Sequence, residues 1–213
     1  PYTYYLTQSE IAFGIGNFNH GFRTPSSIFY LNSIFYLPII KYNFFQIGAI
    51  LIMGFSSYQF FYLVKEKLKQ KKYDKFFFLS LFFFMFTVIF FYRIAEHGTD
   101  RSAQILIFLL IIELLIIINF DRGIKECIIR ILIILGLVIS LKSFYVLYLA
   151  LSFPVFYYFI KEKKLTNILL IFKSYYFYLF LLLFGNILFV NFANSGCLIY
   201  PVSITCFDYF SWS

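Results

Sequence analysis

Charge is what this chain has least of. Charged residues make up 13% of its 213 positions, while 62% are hydrophobic. A soluble domain is about half apolar, and polar residues this few cannot cover the surface of one soluble core. A soluble globular fold is therefore excluded. Acidic groups are scarcer than basic ones, with 10 Asp and Glu against 18 Lys and Arg, a net charge of +8. In a soluble protein that imbalance would point to nucleic acid. Here most of it lies in links between apolar runs, so topology and anionic lipid headgroups account for it, and nucleic acid is not an expected partner. The three cysteines have no zinc-ligand spacing, and neither a phosphate-binding loop nor a nucleophile elbow is present. Internal repeats and low-complexity linkers are lacking too, apart from an aromatic content of 25%. Pro1 stands where an initiator Met would, so the chain reads as a fragment of a longer one.

What is present is a series of long apolar runs, with a mean hydropathy of +0.82. About 20 apolar residues cross a bilayer. Phe44–Val64, Phe76–Tyr92 and Ser102–Phe120 read as spans, as does Tyr175–Phe192. Ile128–Leu141 and Phe144–Ile160 are each short and read as a helical hairpin turning at Lys142-Ser143. With the run Lys65–Lys75 placed in the cytoplasm, thirteen Lys and Arg fall inside. Five fall outside, namely Arg23, Lys41, Arg93, Arg101 and Lys142. This is the positive-inside pattern, and reading Ile128–Ile160 as one span would weaken it.

The expected fold is all-α, a polytopic transmembrane helical bundle of about six spans. Residues 1–43 form an extracytoplasmic loop, 44–193 the bundle and 194–213 a second extracytoplasmic loop. Within the first loop, Thr3–Phe13 and a segment from Pro25-Ser26-Ser27 through Tyr36 suit helices lying on the membrane surface.

Chemistry-bearing residues gather mostly outside. Glu96, His97 and Asp100 share a face if helical. They can act as acid and base, or hold a divalent cation such as Mg or Mn, although no cofactor is required by the sequence. The plainer reading is that Asp100 or Thr99 caps the next helix, and the two roles are compatible. His20 and Arg23 can grip a phosphate or a sugar hydroxyl, or the Arg can meet headgroups. Lys142, alone in a long apolar stretch, either meets an anionic headgroup such as a lipid phosphate or snorkels to the interface. Glu113, inside a span, reads as a structural residue that either pairs within the bundle or faces water. Cys197 and Cys206 lie in one outside segment, where a disulfide and two free thiols both fit.

Three segments carry a resemblance. They are Tyr4-Tyr5-Leu6 through Gly14-Ile15-Gly16-Asn17-Phe18-Asn19-His20-Gly21-Phe22-Arg23 with Ser26-Ser27, then Asp100 with Ala103-Gln104-Ile105-Leu106, and Ser195-Gly196-Cys197-Leu198-Ile199-Tyr200-Pro201 with Asp208 and Trp212. Together they are similar to the outside loops of a poorly characterised family of large bacterial inner-membrane proteins. That family resembles the C-type glycosyltransferases, which use polyprenyl-phosphate sugars on the extracytoplasmic side.

The resemblance implies a multi-pass inner-membrane protein with an extracytoplasmic N-terminal segment and C-terminal tail. It implies a polyprenyl-phosphate-linked sugar donor and a glycan or lipid acceptor. Asp100, with Glu96, would serve catalysis. His20, Arg23 and His97 would bind sugar or phosphate, Lys142 would neutralise the donor phosphate, and Tyr200 and Trp212 would stack on sugar rings. A further catalytic carboxylate is expected upstream of Pro1. Arg23-Thr24-Pro25 and the two outside cysteines depart from the pattern. The competing reading is an O-antigen-type polysaccharide polymerase, or a glycan or lipid transporter without transferase chemistry. The paucity of outside arginine leans against the polymerase.

Overall fold

Among the described residues, eight α-helices and three 3₁₀ segments make up the regular structure. The computed structural model describes residues 2–10, 12–18, 22, 24–92, 98–119, 124–161, 171–207 and 209–210. The helices are α1 (Tyr2–Gln8), α2 (Ser27–Ile34), α3 (Ile47–Lys69), α4 (Lys75–Phe90), α5 (Gly98–Asn119), α6 (Ile124–Leu141), α7 (Phe153–Lys161) and α8 (Tyr175–Ser195). A ten-residue 3₁₀ segment, Ser143–Ser152, joins α6 to α7. No strand occurs among the described residues; the pairing there is limited to isolated bridges, Leu37 with Lys41 and Cys197 with Cys206.

Among the described residues, four stretches are long and apolar enough to cross a membrane: Ile47–Lys69, Thr99–Asn119, Ser143–Lys161 and Tyr175–Ser195. Helix α4 is apolar but has 16 residues. Helix α6 has 18, with Lys125, Glu126 and Arg130 in its first two turns.

The chain turns at Lys142-Ser143. Lys142 is extended (φ −156°, ψ 137°), which ends α6. The chain then runs back along α6. Val155 and Phe159 of α7 share a buried cluster with Leu114 and Ile117 of α5 and Cys127 of α6, and Asp100 at the start of α5 meets Lys142 at the end of α6. Helix α8 returns parallel to α6, with Phe180 and Leu183 against Gly136 and Asn186 and Val190 near Ser140.

Helices α3, α4 and α5 run up and down in turn. Lys75 donates to Asn119 at one end of α4, and Arg101 lies over the Phe91 ring at the other, 6.0 Å from its centroid. Between these ends Phe83 stacks on Phe108 at 4.4 Å. The bundle therefore has two unlike ends. One carries Lys65–Lys75 and Lys161. The other carries α1, α2, the start of α5, the break at Lys142 and the loop after α8.

The turn between α3 and α4 is locally encoded. Asp74 caps α4, its Oδ1 accepting from the amides of Phe76 (3.1 Å) and Phe77 (3.0 Å). Its Oδ2 meets Lys67 Nζ at 2.5 Å. The Lys67 hydrogen bond, helped by those amides against a desolvation cost, holds Asp74 below the usual carboxylate range. A depressed carboxylate stabilises the fold above its unfolded pKa and loses that contribution as pH falls through its folded value. Asp74→Ala is expected to cost about 1 kcal/mol at neutral pH. Denaturant unfolding in micelles should show the gap from wild type closing below about pH 4.

Helices α6 and α8 meet at Gly136. A Cβ there would lie 3.1 Å from Leu183 Cδ1 and 3.5 Å from Phe180 Cδ2, a close approach of the kind small residues permit between membrane helices. Gly136→Ala is expected to be absorbed by the Leu183 tip. Gly136→Leu is expected to destabilise by about 1–3 kcal/mol through overpacking, read as a lowered unfolding midpoint.

Candidate functional site

Asp100 stands in the first turn of α5, near the positive end of the helix dipole, where a carboxylate is favoured. Its Oδ1 accepts from Lys142 Nζ at 2.5 Å and from the Tyr145 hydroxyl at 2.6 Å. The side chains of Lys142 and Asp100 are 28% and 48% exposed, so the pair is open enough to be reached from solvent. Lys142 is held at the helix break, and its carbonyl accepts from the Tyr145 amide at 3.0 Å. Residues three apart eclipse in a 3₁₀ helix, so Lys142, Tyr145 and Tyr148 form one column facing α5. The Tyr145 and Tyr148 rings lie 5.7 Å apart. This arrangement presents a carboxylate, an ammonium and a phenol at one point, a set able to take a proton and to oppose an anion.

A scaffold of buried polar contacts surrounds the same end. Tyr2 is buried, its hydroxyl 2.9 Å from that of Tyr30 and accepting from Asn194 Nδ2 at 2.8 Å. Burial and the Tyr2 hydroxyl push the Tyr30 phenol well above its ordinary range. Gly14 donates its amide to Ala193 O at 2.8 Å. Ser27 Oγ lies 3.0 Å from Ser140 Oγ, and the Gly48 amide donates to Asn32 Oδ1 at 3.2 Å. The N-terminal helices are thus tied to α3, α6 and α8.

Cys197 and Cys206 are joined by a disulfide. Leu198 N to Thr205 O and Phe207 N to Gly196 O, both 3.0 Å, complete the loop. Tyr200 sits in it, on a different element from Asp100 and Lys142. Intact-mass measurement after thiol alkylation should find one label, on Cys127, without reductant and three with it.

The structure brings together Asp100 and Lys142, which are 42 residues apart. Glu96, His97, His20, Arg23 and Trp212 lie outside the described residues, so the expected Glu96–His97–Asp100 cation set has one member within them. Among the described residues no three His, Cys, Asp or Glu side chains converge to hold a metal.

Tyr145 is a site residue that sequence reasoning missed; its only signal is the three-residue spacing from Lys142. Glu113 does pair within the bundle, and its partner is Arg130 of α6 (Nε to Oε1, 2.8 Å). Arg130 is one of the thirteen cations that the charge pattern places inside. Arg130 Nη2 also donates to Cys127 Sγ at 3.1 Å.

Residues 5–213 match a family defined as a domain of unknown function (DUF8201), and the chain belongs to that family. No curated protein and no solved structure matches it.

Proposed function

We propose, for this member of a family without assigned chemistry, a membrane glycosyltransferase activity. It moves a sugar from a polyprenyl-phosphate carrier onto a glycan or lipid acceptor at the extracytoplasmic face of the bacterial inner membrane. The observation that carries this reading is the Asp100–Lys142–Tyr145 cluster at the bundle end remote from the lysine-rich turn.

Sugar transfer from a lipid phosphate needs a base for the acceptor hydroxyl and a cation for the departing phosphate. With substrates absent the two groups neutralise each other. An arriving phosphate competes for the Lys142 ammonium and frees Asp100 to act as base. The acceptor O–H proton then passes to the Asp100 carboxylate, and the acceptor oxygen bonds to the anomeric carbon. The carbon–oxygen bond to phosphate breaks, and the polyprenyl phosphate leaves with the electron pair beside Lys142. A divalent cation, Mg or Mn, would be held by Asp100 with Glu96 and His97.

Two features support the outward orientation of this end. Positive charge is concentrated at the other end, and the Cys197–Cys206 disulfide suits an oxidising compartment.

The test is release of polyprenyl phosphate by membranes containing the full-length protein and a polyprenyl-phosphate sugar. Turnover that Asp100→Asn lowers by about a hundredfold or more at unchanged protein abundance is the expected result. Wild-type membranes that build glycan without consuming any such donor would overturn the reading in favour of a polymerase or transporter.

A further inference from the structure

Arg101 follows Asp100 in the first turn of α5, at the bundle end remote from the lysine-rich turn. Its guanidinium lies over the ring of Phe91, which is itself buried. Nη1 is shut off from solvent, and among the described residues no group accepts a hydrogen bond from it. The residue as a whole is half-buried, so the guanidinium is held by its face while an edge stays within reach. By contrast, Arg130 has Glu113 and Lys142 has Asp100. A charged donor kept from water without an acceptor is costly, and a ring face offsets only part of that loss. The group that completes such a site is an oxyanion, because the planar fork pairs with a phosphate or carboxylate through two parallel bonds.

We propose that Arg101 binds an oxyanion, a phosphate or a carboxylate, carried by the acceptor. The oxyanion site stands on the contacts above; its assignment to the acceptor rests on the transfer reading.

Position makes the assignment. Consecutive residues of a helix point about 100° apart. Asp100 faces Lys142 of α6, and Arg101 faces Phe91 at the end of α4. The donor phosphate is drawn to the Lys142 side. In a displacement with attacking and leaving oxygens on opposite faces of the sugar, the acceptor hydroxyl reaches Asp100 from the side away from Lys142, where Arg101 stands. An acceptor with its own negative charge is then gripped next to the base and kept apart from the donor phosphate.

The experiment treats the full-length protein in maltoside micelles with phenylglyoxal, which modifies unpaired guanidinium groups, and maps the adducts by mass spectrometry. Arg101 should react faster than Arg130, which is 49% exposed but paired. Phosphatidylglycerol or octyl glucuronide should slow the Arg101 reaction several-fold, and their neutral counterparts, diacylglycerol and octyl glucoside, should not. The lipid pair reports a phosphate source and the glycoside pair a carboxylate source. In turnover with a polyprenyl-phosphate sugar, the wild-type protein should prefer the charged member of the effective pair by about tenfold in kcat/KM, the effect of one charge-assisted hydrogen bond. Arg101→Gln should remove that preference, chiefly through KM, and Arg101→Lys should restore part of it by supplying charge without the fork. An Arg101 that resists phenylglyoxal with no anion present already has a partner in the full chain, which overturns the proposal with no variant needing to fold. Protection by phosphatidylglycerol without any preference in turnover marks an ordinary headgroup contact. It overturns the assignment to the acceptor and leaves the transfer reading standing. Absence of donor consumption removes the transfer reading and the assignment with it, while the protection pattern still decides the oxyanion site.

Discussion

Asp100→Asn is expected to lower sugar transfer by about a hundredfold to ten-thousandfold, the usual contribution of a positioned base, with membrane abundance unchanged. The asparagine keeps the shape of the carboxylate and can still accept from Tyr145, so the change removes charge and basicity and leaves the packing intact. The stability cost is small because both partners are partly exposed, 28% for Lys142 and 48% for Asp100, and such pairs contribute about 0–1 kcal/mol. A stability defect and a chemical defect therefore separate cleanly: abundance and unfolding midpoint report the first, turnover the second. Lys142→Met should act mainly on the donor, raising its apparent KM with a smaller effect on kcat, because the ammonium meets the phosphate in both ground and transition states. Combining the two changes should lower kcat/KM further than Asp100→Asn alone, since the base and the phosphate contact act at different atoms. Normal turnover in Asp100→Asn removes Asp100 from the mechanism.

Glu113→Leu is expected to destabilise the bundle through charge. Glu113 stands midway along α5 with its side chain 16% exposed and takes the Arg130 guanidinium at 2.8 Å. Removing the carboxylate leaves a guanidinium at membrane depth without its counter-charge, at a cost on the order of 2–3 kcal/mol. Arg130 stands in the second turn of α6, so its stem can carry part of the charge toward the near interface and moderate the loss. Glu113→Leu with Arg130→Leu should recover most of the stability, because an apolar pair of similar volume suits the α5–α6 contact. Unfolding of the single and double variants in micelles decides the point. A double variant as unstable as Glu113→Leu would mean that the glutamate acts through packing and not through charge.

The elements of this fold were legible where local chemistry sets them. Apolar runs of membrane length marked α3, α5 and α8. Ser26-Ser27 marked the start of α2, and the lone Lys142 marked the break between α6 and the segment after it. The observed ends shift by a few residues, as at α3, which continues through Lys69 because lysines at a helix C-terminus favour its dipole. What the sequence did not disclose were contacts between elements. Asp100 and Lys142 were each singled out for separate tasks, and nothing in their 42-residue separation says that antiparallel α5 and α6 close them into one pair. Tyr145 went unnoticed because a tyrosine in an aromatic-rich chain carries no local signal until the 3₁₀ geometry sets it under Lys142. The Glu113–Arg130 pair is hidden for the same reason: their meeting depends on the register of two helices, which is set by side chains such as Leu114 and Ile131 along the whole seam.

The conformation of Ser143–Ser152 also sets how far the chain can reach. Ten 3₁₀ residues advance about 2.0 Å each and the nine of α7 about 1.5 Å, so the downward stroke covers roughly 33 Å, the thickness of a hydrocarbon layer. Wound wholly as α-helix, the same nineteen residues would reach only about 28 Å. The stretched winding thus gives a short strut the length of a span, and rewinding it by a single turn would draw the lysine and tyrosine at its upper tip down and away from the acid they now flank.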